Sequence, residues 1–246
     1  MYNYPIHYKI FGKGKKFVLF LHGWGGSTNS FLSVAKRLSS DYKVILIDFY
    51  GFGKSKFPQN PIDTYEYAIQ LFLFLKRKGI DRLDIVAHSF GGRVAIVLAS
   101  MFELDIDNLI LANSAGVLPK RTIAYRIKIA KYKLYKKLRK YKLISDKKLS
   151  TFGSDEYKQL DSLQKISYVK IVNQGLEYLL KIIKSKTLLV WGDDDNTTPI
   201  NMAKVIKNNI SNSSLYIYKG SGHFCYVDNY VNFCNLLLAF LKGEEN

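Results

Sequence analysis

The stretch LDIVAHSFGGRVAIVLAS, Leu83–Ser100, decides how the rest of the chain is read. An apolar run ends at His88-Ser89, two glycines follow at Gly91-Gly92, and a second apolar run begins at once. That order, apolar strand, sharp turn, apolar helix, holds a serine on a tight bend. Small residues on either side, Ala87 before it and Gly91 and Gly92 after it, let strand and helix approach closely. A serine that merely ends a strand is the competing reading, so the rest of the chain must supply the partners of a reactive one.

Working outward, FVLFLH (17–22), KVILID (43–48), LDIVAH (83–88), NLILAN (108–113) and TLLVWG (187–192) are nearly continuous apolar runs. Strands buried on both faces of a parallel sheet have this composition. SLYIYKG (214–220) alternates more and suits a last strand. Helices are expected over Ser30–Leu38, Thr64–Lys78, Gly92–Met101, Met202–Asn208 and Tyr230–Leu241. The alternation predicts an α/β fold with a mostly parallel central sheet and helices on both faces. On that sheet Ser89 is carried to the carboxyl edge of its strand, where open α/β sheets bind ligands.

The gap between the strands at 108–113 and 187–192 is too long for one crossover helix. Within it, Ile123, Ile127, Ala130, Leu134, Leu138 and Tyr141 recur at steps of three and four and share one helical face. Lys and Arg fill most other positions, and residues 119–145 read as one long basic helix or two. A second helical piece, Leu163–Ile183, leads back to the sheet. The expected organisation is a core of residues 1–112 and 187–246 with a helical basic cap, 113–186, inserted between them.

The chain has 246 residues, 48% of them hydrophobic, which suits one domain with a sizeable core. No apolar run approaches the roughly 18–20 residues that span a bilayer. MYNYPIHYKIFGKG lacks the apolar stretch of a signal peptide. Cys225 and Cys234 do not make a disulfide framework, and a cytoplasmic location is expected. The net charge is +17, and it is concentrated. Residues 113–186 hold 19 Lys/Arg against 5 Asp/Glu, whereas the remainder holds 18 against 15.

A serine hydroxyl needs a base, and the base needs an orienting acid. Of the four histidines, His7 falls in a probable edge strand, His22 ends a strand before glycines, and His88 adjoins Ser89. His223, in GSGHF just after the last strand, is the best placed base. After the strand at 108–113 the natural acid position is Asn113, which carries no carboxylate. After TLLVWG comes DDDNTTP, so the acid is one of Asp193, Asp194 and Asp195. A metal site or a solvated acidic turn are other readings of that run, and no further ligand cluster accompanies it. The glycine-rich loop LHGWGGST (21–28) suits an oxyanion site, with backbone N–H donors from Trp24 and from Phe90. No GxGxxG or GxxxxGK motif is present, and no cofactor or metal is expected.

With these residues assembled, the chain resembles the α/β-hydrolase superfamily over nearly its whole core. LHGWGG resembles the oxyanion loop, DFYGFGKS (48–55) the D-x-x-G-x-G-x-S segment, and AHSFGG the nucleophile elbow, with Ala87 where the pattern has glycine. WGDDDNTTP resembles the acid loop and GSGHF the histidine loop. Aligned to W-G-x-x-D-x-x-x-P, the acid becomes Asp195, and Ser89, Asp195 and His223 follow the family's chain order. The resemblance implies a Ser-His-Asp triad that cleaves a carboxylic ester or thioester through an acyl-enzyme. Within the superfamily the chain resembles the capped group that contains small carboxylesterases and meta-cleavage-product C–C hydrolases, and HGWG is also similar to esterases acting on pimeloyl esters of an acyl carrier protein. Serine at position 89 argues against haloalkane dehalogenases and epoxide hydrolases, which use aspartate there. C–C bond hydrolysis on the same triad, and a non-catalytic binding protein on the same fold, are the alternatives.

The basic cap raises its own expectation. An acidic acyl carrier protein, a phosphorylated acyl donor such as CoA, and an anionic membrane surface all suit its charge. Nucleic acid comes last, since no recognition motif accompanies the charge. The bland alternative packs the apolar positions on the core and leaves the lysines as a solvated face.

Overall fold

Seven strands form one sheet in the order β1-β3-β2-β4-β5-β6-β7. They are β1 (Tyr8–Phe11), β2 (Phe17–Leu21), β3 (Lys43–Ile47), β4 (Arg82–His88), β5 (Asp105–Ala112), β6 (Lys186–Gly192) and β7 (Ser213–Tyr218). All neighbours are parallel except edge strand β1, which runs antiparallel to β3. The computed structural model describes residues 5–119, 123–141, 143, 145 and 155–244. The chain has the expected α/β architecture, and each apolar run became a strand. His7 lies just ahead of β1 rather than inside it.

Both faces of the sheet are apolar for a simple reason. Side chains alternate along a strand. In β2, Leu19 and Leu21 enter one buried cluster while Val18 and Phe20 enter the other. The first cluster is closed by α2 (Thr64–Arg77), α3 (Phe90–Met101) and, later in the chain, α7 (Ile200–Asn209). The second is closed by α1 (Leu32–Leu38), α8 (Cys225–Asp228) and α9 (Tyr230–Lys242). Asp63 starts α2 with a capping box: its side chain accepts from the N–H of Glu66, whose carboxylate takes the N–H of Asp63.

Between β5 and β6 lie α4 (Ile123–Lys140), α5 (Asp155–Gln159), α6 (Ser162–Asn173) and a 3-10 turn, Glu177–Ile182. The single helical piece expected over Leu163–Ile183 is therefore broken, and the break has a cause. Gln174 leaves the helix to bond the start of α2: its Oε1 accepts from the Thr64 N–H at 3.1 Å and its Nε2 donates to Asp63 Oδ2 at 2.9 Å. The 3-10 turn then packs against α3 and α7, burying Leu179 and Leu180, with Leu176 and Ile183 beside them. The two ends of the insertion are joined where the Leu176 N–H meets the Gly116 carbonyl at 2.8 Å and the Leu118 N–H meets Glu177 at 2.6 Å.

Helix α4 faces the other way. Ile123, Ile127, Ala130, Leu134 and Tyr141 of its apolar stripe are exposed, and Leu138 is half-buried. Parts of the expected basic helix, residues 120–122, 142 and 144, lie outside the described residues.

Candidate active site

Register brings the site together before any side chain is considered. His88 pairs with Ala112 and Ala112 with Val190, so β4, β5 and β6 reach the same edge of the sheet. The chain turns there at Ser89, at Asn113 and in the loop after Gly192. Ser89 adopts φ 50° and ψ −114°, a backbone that L-residues seldom adopt and that the neighbours must hold in place. Its N–H bonds the Ala112 carbonyl, and its own carbonyl takes N–H groups of Gly92 and Ala115 at 3.0 Å. The two glycines answer to close approach. A Cβ on Gly91 would sit 2.3 Å from the Leu21 carbonyl oxygen, and one on Gly92 would sit 1.9 Å from Ser114 Oγ. Ala87 is fully buried, so the methyl group is accommodated where the pattern has glycine.

The structure places Ser89, His223 and Asp195 in one line. Ser89 Oγ is 3.0 Å from His223 Nε2, and His223 Nδ1 is 2.8 Å from Asp195 Oδ2. Asp193 and Asp194 point elsewhere: both are exposed, and Asp193 Oδ1 accepts from the Gly220 N–H at 2.7 Å. Asp195 is buried, and burial alone would raise its carboxyl. Hydrogen bonds from His223 and from the Thr198 side chain and backbone outweigh burial and hold it well below the usual range. Oδ1 accepts the N–H groups of Thr197 and Thr198 at 2.7 and 2.9 Å. Oδ2 accepts the Thr198 hydroxyl and Asn113 Nδ2, each at 2.6 Å, besides His223.

Three further residues, Asn113, His88 and His22, make contacts that were outside the reach of the sequence. Asn113 supplies an amide to the carboxylate across the β5–β6 edge, at φ 42°, a left-handed conformation that asparagine tolerates. His88 Nε2 lies 2.8 Å from the His223 carbonyl oxygen. Burial lowers the His88 pKa to about 3, so the ring is neutral and its Nε2–H donates to that carbonyl. His22 is likewise buried, with its pKa lowered to about 4. Its Nδ1–H donates to the Gly23 carbonyl at 2.7 Å while Nε2 accepts the Phe49 N–H at 3.0 Å. Each neutral histidine thus braces a loop rather than titrating.

The glycine-rich loop is pinned from the DFYGFGKS segment as well. Asp48 accepts the Thr28 N–H at 2.5 Å and the Lys54 N–H at 2.8 Å, with His7 Nδ1 at 2.7 Å. Trp24 meets Phe90 edge to face at 5.3 Å, which joins the loop to the start of α3. Phe90 is the first residue of α3, where an N–H has no partner inside the helix. Among the described residues no acceptor takes the N–H of Trp24 or of Phe90.

A cavity of about 470 Å³ opens over Ser89 and His223. Trp24, Phe90, Val117, Tyr168, Ile171 and Met202 make much of its wall apolar. Arg93 is a buried exception, with Nη1 donating to the Gln174 carbonyl at 2.6 Å. Burial lowers its pKa to about 10, still far above neutrality.

A seven-stranded, mostly parallel sheet with a serine at a strained strand-to-helix elbow defines the α/β-hydrolase class of fold. The family profile described as the alpha/beta hydrolase fold matches residues 16–127 and 118–230, and the chain belongs to that family as a hydrolase. Lipase 1 of Psychrobacter immobilis is 28% identical over 248 residues, covering 90% of this chain and 78% of the lipase. The 2-hydroxy-6-oxo-6-(2'-aminophenyl)hexa-2,4-dienoic acid hydrolase of Metapseudomonas resinovorans is 26% identical, covering 96% of this chain and 87% of that one. Among solved structures, an esterase from Exiguobacterium antarcticum superposes with a TM-score of 0.77 at 23% identity, over 97% of this chain and 96% of that one.

Proposed function

We propose that the protein is a serine hydrolase that cleaves a carboxylic ester or thioester through an acyl-enzyme. The observation that carries this reading is the line from Ser89 Oγ through His223 to Asp195, at 3.0 and 2.8 Å. In the proposed reaction Ser89 Oγ attacks the carbonyl carbon while its proton passes to His223 Nε2. Asp195 holds the Nδ1–H tautomer and stabilises the imidazolium that forms. The carbonyl electrons move onto oxygen, which the N–H groups of Trp24 and Phe90 receive, helped by the positive end of α3. The bond to the alcohol or thiol then breaks, and His223 returns its proton to that leaving group. Water, deprotonated by His223, attacks the acyl-serine and releases the acid. Residues 113–186 act as the cap that lines the cavity and selects the substrate. The two buried, unpaired cysteines support a cytoplasmic place of action.

The test is a panel of p-nitrophenyl esters, acyl-CoA thioesters and vinylogous diketone acids, run on the wild type and on Ser89→Ala. Ester or thioester turnover lost in the variant, with fluorophosphonate labelling of the wild type alone, is expected. Turnover of the diketone acids alone would move the protein to C–C hydrolysis. Turnover by neither protein, without labelling, would make it a binding protein.

A further inference from the structure

We propose that α4 docks the protein on an anionic lipid surface, and that the substrate is an acyl ester drawn from that surface. The substrate half rests on the hydrolase reading above; the docking half does not.

The argument begins with which side of α4 faces water. Helices on a protein surface normally turn their aliphatic stripe toward the core. Here Ile123, Ile127 and Leu134 are 77%, 62% and 53% exposed, and exposed Tyr141 and Leu143 extend the stripe beyond the helix. Tyr132 and Tyr135, which fall on the opposite side at about 100° per residue, are half-buried. Tyr132 is hydrogen-bonded to Tyr157 of α5. The helix thus half-buries Tyr132, Tyr135 and, from the edge of the stripe, Leu138, and offers the other described residues of its aliphatic stripe outward.

Charge specifies what that side meets. The 18 residues of α4 include eight Lys/Arg and no Asp or Glu. Lys131, Lys133, Lys136, Lys137 and Lys140 are exposed, and at about 100° per residue Lys131, Lys133 and Lys137 flank the stripe. An aliphatic strip about 27 Å long, 1.5 Å per residue, bordered by cations, is the build of a helix lying in a headgroup region. The strip enters the acyl boundary while the lysines extend to the phosphates. An acidic protein or a nucleic acid would use the charge and leave the strip in water.

The helix is also connected to the cavity. Pro119 lines the cavity, and Ile123 follows four residues later, within about 14 Å of extended chain. From Tyr157 an aromatic chain runs inward, to Tyr168 at 5.9 Å and on to Trp24 at 5.0 Å. Val172 and Phe224, also in the cavity wall, are 37% and 52% exposed, so the rim is apolar. A lipid acyl ester leaving the bilayer meets apolar surface along this route. Ser89 then takes its acyl group, the glyceryl or fatty alcohol oxygen leaves with the proton from His223, and water frees the acid.

The experiment is sedimentation of the full chain with vesicles of phosphatidylcholine, with and without phosphatidylglycerol, at low and high salt. Two variants accompany the wild type: Lys131→Glu/Lys133→Glu/Lys136→Glu/Lys137→Glu, and Ile127→Asp/Leu134→Asp. A soluble short-chain p-nitrophenyl ester reports the site in all three. The wild type should bind only the phosphatidylglycerol vesicles. The charge variant should lose on the order of 100-fold or more in binding, and salt should weaken the wild type. The aspartate variant should lose binding as well, with soluble-ester turnover unchanged in both. Equal binding to both vesicle types, retained binding in either variant, or no binding to either vesicle type would overturn the proposal. No soluble-ester turnover beside intact vesicle binding would sink the hydrolase reading and leave the docking in place.

Discussion

The acid loop and helix α4 are built in opposite ways. Around Asp195, five donors converge on one buried carboxylate, and they come from three separate segments: Asn113, Thr197 with Thr198, and His223. Helix α4 holds the protein through half-buried tyrosines and gives its aliphatic side to solvent. The first arrangement holds an imidazole in one position and orientation, which proton transfer needs. The second fixes only a side and a sign of charge, which is what recognition of an extended surface needs. The proposed chemistry and the proposed recognition therefore sit on separate regions, and each experiment below tries to make one region behave like the other.

The largest effect belongs to the line of three. Ser89→Ala and His223→Ala should each lower kcat by something on the order of 10³–10⁶, and the double variant should be little worse than either single one. Additive losses would mean that the two side chains act independently, and the site would then resemble a loose surface. Next comes the acid. Asp195→Asn should lower kcat by about 10³–10⁴, because the amide can present a donor to Nδ1 and favour the wrong tautomer. Asp193→Asn and Asp194→Asn, on exposed side chains, should stay near wild type. A large loss in either neighbour, with Asp195→Asn active, would reassign the orienting carboxylate.

The braced histidines give a stability test with a definite sign. His22 and His88 have folded pKa values lowered to about 4 and about 3 by burial. In the unfolded chain both return to about 6.5. Between those values the unfolded chain binds protons that the folded chain does not, so stability falls as pH falls from about 6.5. At about pH 5 each histidine should cost about 2 kcal/mol relative to about pH 8. Asp195 adds its own loss only below the unfolded carboxyl value of about 3.9, since its folded pKa is depressed. Urea unfolding at both pH values checks this, with His22→Gln expected to remove about half of the difference. A flat stability across that window would mean that the two rings are charged in the fold.

What could be read from the chain follows the same division. The elbow, the acid loop and the histidine loop were visible because each packs its chemistry into a few adjacent residues: Ser89 between small neighbours, Asp195 at fixed spacing from Trp191 and Pro199, His223 between a strand and a helix. Strands were visible because burial on both faces leaves the runs nearly continuous in apolar residues. The contacts that brace these residues were not visible. Asn113 to Asp195 spans 82 positions and His88 to His223 spans 135, and no local pattern encodes such pairs. The break at Gln174 escaped for the same reason: its partners, Asp63 and Thr64, lie more than a hundred residues away. For α4 the periodicity showed which residues share a side, but not which side faces out, because that depends on Tyr157 of another helix.

The smallest effect should come from removing α4 altogether, provided that the cut is placed by packing. Replacing all of residues 113–186 would strip Leu176, Leu179, Leu180 and Ile183 from the core, and Asn113 from the Asp195 carboxylate. Losing several buried leucines at about 2–5 kcal/mol each would unfold the protein. Replacing only residues 120–160 with a Gly/Ser linker leaves those side chains in place. It also keeps the Gly116–Leu176 and Leu118–Glu177 bonds that join the ends of the insertion. The linker costs little more in closure entropy than the segment it replaces. The shortened protein should melt within about 5 °C of the parent, since none of the described side chains it removes is fully buried. Turnover of a short soluble ester should persist, while preference among acyl chain lengths changes with the altered wall around Tyr168. Calorimetry and a chain-length series measure both. Collapse of the melting transition in the shortened protein would show that α4 belongs to the core after all, and the contrast between the two regions would fail there.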